Sequence, residues 1–176
     1  ALRKRCDEVG ALLIFDEVQI GVGRSGWPFA ANMYGVTPDM ITTAKALGNG
    51  FPCGALLMAP AVTAAIKPEG LGTTFGGGPM ACAVIEAVID AIEHEGLLEN
   101  VRRVSALLRE QCNVGPVVGH QGAGFLHGLR VSRPAKEIQA ALLDRNILTG
   151  TSGDPHIVRL LPPYTLAAEH VDLFRE

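Results

Sequence analysis

The chain reads as an α/β fold: part of a large domain on a mixed, mostly parallel sheet, followed by a smaller α+β unit. Three observations predict this. Ala11 to Phe15 (ALLIF) is apolar on both faces, as in a central strand of a parallel sheet covered by helices. Short strands then alternate with glycine-rich loops. Beyond about residue 113 the pattern changes to strands and helices in a tighter succession, so the expected domains are 1–113 and 114–176.

Taken in order, ALRKRCDEVG is the tail of an amphipathic helix with Gly10 as its C-terminal cap. The chain opens inside an element and without an initiator Met, which reads as a fragment of a longer protein. The strand at 11–15 is followed by a loop through Gly21, Gly23 and Gly26, and by a short apolar turn or helix over Pro28 to Tyr34. Asp39 to Thr42 is a second strand, AKALGNGFPCG the loop after it, and Gly54 to Met58 a third. Residues 61–67 suit a short helix ended by Pro68. The connection GLGTTFGGG feeds a helix that opens at Pro79, a favoured first-turn position, and stops at Gly96. In the next helix Leu97, Val101, Val104 and Leu108 form one stripe. Strand GFLHGLRV, helix PAKEIQAALLDRN, strands ILTG and HIVRLL, and a helix from about Ala167 complete the chain.

Bulk properties narrow the function. With 48% hydrophobic and 19% charged residues among 176, the chain is a folded domain and not a disordered segment. A net charge of -3 gives no electrostatic reason for a nucleic-acid or anionic-membrane partner. No apolar run reaches the length of a membrane span, and no signal peptide opens the chain. Cys6, Cys53, Cys82 and Cys112 are widely spaced with no C-x-x-C pair, which suits free thiols in a reducing cytoplasm. His94, His120, His127, His156 and His170 lack metal-ligand spacing, so no metal is expected and they read as surface or loop residues.

The chemistry lies at the strand ends. ALLIFDE alone matches a P-loop ATPase strand ending in a metal-binding aspartate and a catalytic glutamate. That reading needs a G-x-x-x-x-G-K-[ST] loop, which the sequence does not contain. Lys45 favours another one. It follows the second strand and precedes the glycines, whereas a phosphate-binding lysine sits in a glycine-rich loop at a helix start. Ligands in open α/β sheets bind beyond the carboxyl ends of strands, so Asp16 and Lys45 are expected at one crevice. An amine there beside a carboxylate suits imine formation. In GTTFGGGPMA, two hydroxyls, glycine amides and a helix N-terminus make a phosphate cradle. An imine-forming lysine, a ring-nitrogen aspartate and a phosphate cradle are the parts that pyridoxal phosphate needs.

DEVQIGVGRSG, TTAKALGNGFPCGALL and GTTFGGGPMACA, in this order and spacing, closely resemble the class III pyridoxal-phosphate aminotransferases, which have the fold-type I architecture. The likeness is greatest to their acetylornithine and ornithine branch, which belongs to arginine biosynthesis. It spans nearly the whole chain, is most specific over residues 11 to 82, and returns at IVRLLPP. Asn49 stands where the family commonly has glycine, Gly78 where it has asparagine, and Ile20 where it has threonine.

The resemblance implies a role for each matched residue. Asp16 would hold the proton on the pyridine nitrogen, Val18 would pack on the ring, and Gln19 would bond its phenolic oxygen. Lys45 would attach the cofactor as an imine and then act as the base. Thr74 would bind the phosphate of a neighbouring subunit's cofactor, making a homodimer with shared sites, and Thr73 would contact substrate. Arg159 would grip the substrate carboxylate with its planar fork. Glu17 would support the site without direct chemistry, and Arg24 would cap local carbonyls. The implied reaction moves the terminal amine of an ornithine-like donor, acetylornithine foremost, to 2-oxoglutarate. A 4-aminobutyrate-type ω-aminotransferase, an aminomutase and the ATPase fragment are the alternatives. In the family, a segment preceding these motifs completes the cofactor site, so this chain alone is expected to be inactive.

Overall fold

A computed structural model of the chain describes residues 1–67 and 70–176. It forms two compact units, one of residues 1–22 and 27–95 and one of residues 23–26 and 96–176.

In the first unit, helix α1 (Leu2–Val9) ends where Gly10 adopts the left-handed conformation, φ 68°. Arg3 on α1 pairs with Asp39 at 2.7 Å, and the same carboxylate oxygen accepts the Leu13 amide at 2.6 Å. That backbone donor, followed by Arg3, holds the Asp39 carboxyl below its ordinary pKa. Strands β1 (Ile14–Asp16), β2 (Met40–Thr43) and β3 (Ala55–Met58) form a sheet in the order β1-β2-β3. β1 and β2 are parallel, with Asp16 opposite Thr42, and β3 is antiparallel to β2. Among the described residues β1 pairs only with β2, and Ile14 is 52% exposed: the sheet is partial, as suits part of a larger domain. An apolar pattern specifies that a face is suited to burial, but not which element covers it. The short segment after β1 contains helix α2 (Ala30–Tyr34), and β3 is followed by helix α3 (Pro60–Ala65). The expected stop of this last helix at Pro68 lies outside the described residues. Helix α4 (Pro79–His94) starts with its proline in the first turn, as the sequence predicts.

The second unit has helices on one face of an antiparallel sheet. Helix α5 (Leu97–Gln111) precedes strands β4 (Val117–Ala123) and β5 (Leu126–Val131). Helix α6 (Ala135–Leu143), strands β6 (Gly150–Thr151) and β7 (Ile157–Leu160), and helix α7 (Ala168–Arg175) follow, giving the strand order β4-β5-β7-β6. Alternate residues His127, Leu129 and Val131 of β5 are buried, together with Phe125 in the turn before it. Phe125 packs with Val101, Val104 and Leu108 of α5 and Val171 of α7, while Leu129, Val131 and Val158 pack with Ala135 and Ile138 of α6. The stripe predicted on α5 thus belongs to this core, within the compact unit of residues 23–26 and 96–176.

Three differences from the sequence reading have local causes. Strand β4 is not apparent in the sequence because VVGHQGA mixes glycines and polar residues on an edge strand, where only one neighbour enforces pairing. Of the expected strand ILTG only Gly150 pairs, in the two-residue strand Gly150–Thr151, while Ile147, Leu148 and Thr149 precede it outside the ladder and line a cavity. His127 is a core residue, 1% exposed, and not a surface one. Its Nε2 lies 2.8 Å from Nδ1 of His120 on β4, and burial followed by the Arg109 charge lowers its pKa to about 4.

Candidate active site

Asp16 is the last residue of β1, and Lys45 comes two residues after the end of the adjacent parallel strand β2. Parallel pairing puts both chain ends at the same edge of the sheet, where crevices form in open α/β folds. The structure thereby brings Asp16, Val18, Gln19 and Lys45 to one edge.

Asp16 Oδ1 accepts the Val18 amide at 3.1 Å, an Asx turn that ends the strand and sets the direction of the following segment. The same oxygen accepts the Thr42 hydroxyl at 3.3 Å. Oδ2 has no hydrogen-bond partner among the described residues. The Thr42 contact has no signal in the sequence, because it depends on the register in which the two strands pair. Glu17 faces the other way and is 1% exposed. Its carboxylate accepts the amides of Ala30 at 2.6 Å and Ala31 at 2.8 Å, satisfying the first turn of α2. Its own amide donates to Thr42 O at 2.9 Å, so one residue ties β1, β2 and α2 together.

Lys45 has φ 48°, in the left-handed region that non-glycine residues enter at a cost of roughly 1–2 kcal/mol. It opens a 3-10 turn, Lys45–Leu47, and its side chain is exposed. Residues held in sparsely populated backbone regions cluster at functional sites. Asn49 has φ 42°, which accounts for the glycine common at that position and for asparagine as its substitute. Val18 and Gln19 are half-buried in the turn after β1. Thr73 and Thr74 are exposed in the segment leading to α4, whose N-cap, Gly78, makes no side-chain cap.

Arg159 belongs to the second unit, on β7 between Gly128 of β5 and Gly150 of β6. A side chain at Gly150 would begin in ordinary van der Waals reach of its guanidinium, and among the described residues Arg159 Nε is buried without a hydrogen-bond partner. It lines a largely apolar cavity of about 740 Å³ with Leu148, Leu161, Pro162 and Phe174. An arginine with an unsatisfied N–H in such a cavity suits a carboxylate. Arg24 does cap carbonyls, but distant ones: Pro162 O at 3.0 Å and Phe125 O at 3.4 Å, with its guanidinium over the Tyr164 ring. Cys6, Cys53, Cys82 and Cys112 are free thiols. Among the described residues no helix is long and apolar enough to cross a membrane, and no cluster of three or more His, Cys, Asp or Glu is placed to hold a metal.

The model of the aminotransferase class-III family matches residues 1–176. Acetylornithine aminotransferase 1 of Bradyrhizobium diazoefficiens is 42% identical over 178 residues, covering 98% of this chain and 44% of its own length. The acetylornithine aminotransferase of Streptomyces coelicolor is 44% identical, covering 94% and 42% respectively. Among solved structures, N-acetylornithine aminotransferase from Stenotrophomonas maltophilia superposes with a TM-score of 0.84 at 34% identity, over 98% of this chain and 47% of that one. Plasmodium falciparum ornithine δ-aminotransferase gives 0.88 at 28% identity, over 99% and 46%. The chain spans less than half the length of these relatives. They are pyridoxal-phosphate enzymes of fold type I, which removes the ATPase reading of the Asp16–Glu17 strand. By its whole-length match to the family and its likeness to these enzymes, the chain belongs to the class III aminotransferases.

Proposed function

We propose that this chain carries the lysine and ring-nitrogen machinery of an aminotransferase acting on the terminal amine of an ornithine-like donor, acetylornithine foremost, with 2-oxoglutarate as acceptor. The observation that carries the reading is the pairing of Asp16 and Lys45 at one edge, with Asp16 Oδ1 engaged and Oδ2 left to an incoming donor. These residues fit pyridoxal phosphate, which supplies an electron sink next to the substrate carbon when bound. Asp16 holds a proton at the pyridine nitrogen. Lys45 Nζ would hold the cofactor by condensing with its aldehyde with loss of water and, once displaced by the substrate amine, would carry the proton from the substrate carbon. Val18 packs against the ring and Gln19 donates to its phenolic oxygen. Thr73 contacts substrate, and Arg159 binds a substrate carboxylate. Thr74 binds phosphate across a two-fold interface, in a cytoplasmic homodimer whose loops serve each other's sites.

Borohydride reduction of the holoenzyme followed by peptide mass mapping tests the central assignment. The pyridoxyl group is expected on Lys45. Finding it on Lys67 or Lys136 would end the proposal.

A further inference from the structure

We propose that Thr42 is a positioning residue for the ring-nitrogen carboxylate, acting through Asp16 and not on the cofactor itself; this rests on the function proposed above. Thr42 is opposite Asp16 in the parallel ladder, and partners in register carry their side chains on the same face of the sheet. The Thr42 carbonyl accepts the Glu17 amide at 2.9 Å, so the backbone that carries the hydroxyl is fixed to the strand that carries the carboxylate. From there the hydroxyl donates to Asp16 Oδ1 at 3.3 Å, beside the Val18 amide at 3.1 Å. Two donors converge on one oxygen, and the other has none among the described residues.

That asymmetry has a chemical consequence. A carboxylate held by one donor turns about its terminal torsion at little cost, because that torsion is broad. Two donors on a single oxygen, one from β2 and one from the turn after β1, fix the plane of the group and leave Oδ2 alone as acceptor. Losing the Thr42 donor frees the carboxylate plane, and hydrogen bonds weaken steeply once misaligned.

Thr42→Val keeps the β-branched shape and the ladder while deleting the donor. The test uses the holoenzyme loaded with pyridoxal phosphate labelled with 15N at the ring nitrogen. In Thr42→Val the 15N chemical shift should move toward the unprotonated value, and kcat should fall about tenfold with little change in KM. That is the low end for a hydrogen bond to a charged group, as suits its length. Thr42→Ser should restore both, and Thr42→Ala should repeat the loss if Thr42→Val folds poorly. In an Asp16→Asn background, Thr42→Val should add nothing. An unchanged shift and kcat in both donor-deleted variants, with Asp16→Asn strongly affected, would overturn the inference and leave the proposed function standing. An undiminished Thr42 effect in the Asp16→Asn background would also overturn it, as a purely structural contribution. An Asp16→Asn enzyme with wild-type shift and turnover would sink the role of Asp16, and the role of Thr42 with it.

Discussion

Glu17 is predicted to hold the candidate site in shape through α2, and Glu17→Gln measures by how much. Both carboxylate oxygens accept helix amides, at 2.6 and 2.8 Å, and the side chain is 1% exposed. The glutamine oxygen can accept one of these amides, but its NH2 then meets the other donor. One buried N–H left without an acceptor costs roughly 1–3 kcal/mol, and the remaining bond loses its charge assistance, about 1 kcal/mol more. Removing a desolvated charge offsets part of this, so the net loss is about 2 kcal/mol. α2 has five residues, and helices of fewer than about 12 are marginal alone, so the effect is local before it is global. The assay is amide hydrogen exchange at Ala30 and Ala31. A 2 kcal/mol loss corresponds to roughly thirtyfold less protection. Protection at both amides within twofold of wild type would refute the reasoning, because it would mean the carboxylate is not what satisfies them.

Two further outcomes follow from strain and burial. Replacing Lys45, with φ 48°, by glycine should give a chain about 0.5–1 kcal/mol more stable than Lys45→Ala, because relief of left-handed strain exceeds glycine's added unfolded-state entropy. Urea unfolding of both variants decides it, and equal midpoints would show that the backbone there is unstrained. Burial lowers the pKa values of His120 and His127, with Arg109 contributing to both. The fold therefore favours the neutral pair: its stability is fully present above the unfolded value near 6.5 and is lost as pH falls toward about 4. Thermal unfolding from pH 7.5 to 4 should show that decline, and His127→Phe should flatten it; an equally steep decline in the variant would assign it to other groups.

What the sequence determined by itself was local. Gly10 as a helix stop, Pro79 as a helix start, and the strands leading to Asp16 and Lys45 all follow from propensities and periods that a few neighbouring residues encode. The spacing of DEVQ, TTAK and GTTF was enough to identify the family, because those motifs concentrate the chemistry into short runs. Tertiary structure decided whatever depends on a partner far along the chain. The carboxylate of Glu17 meets α2, Arg24 caps carbonyls at Phe125 and Pro162, and α5 joins the sheet that follows it. Strand VVGHQGA pairs because β5 offers it an edge, and His127 is buried because its β5 position faces the helices. No local pattern records these choices. Composition indicates which groups need burial or a hydrogen-bond partner, and only the folded path of the chain supplies the partner.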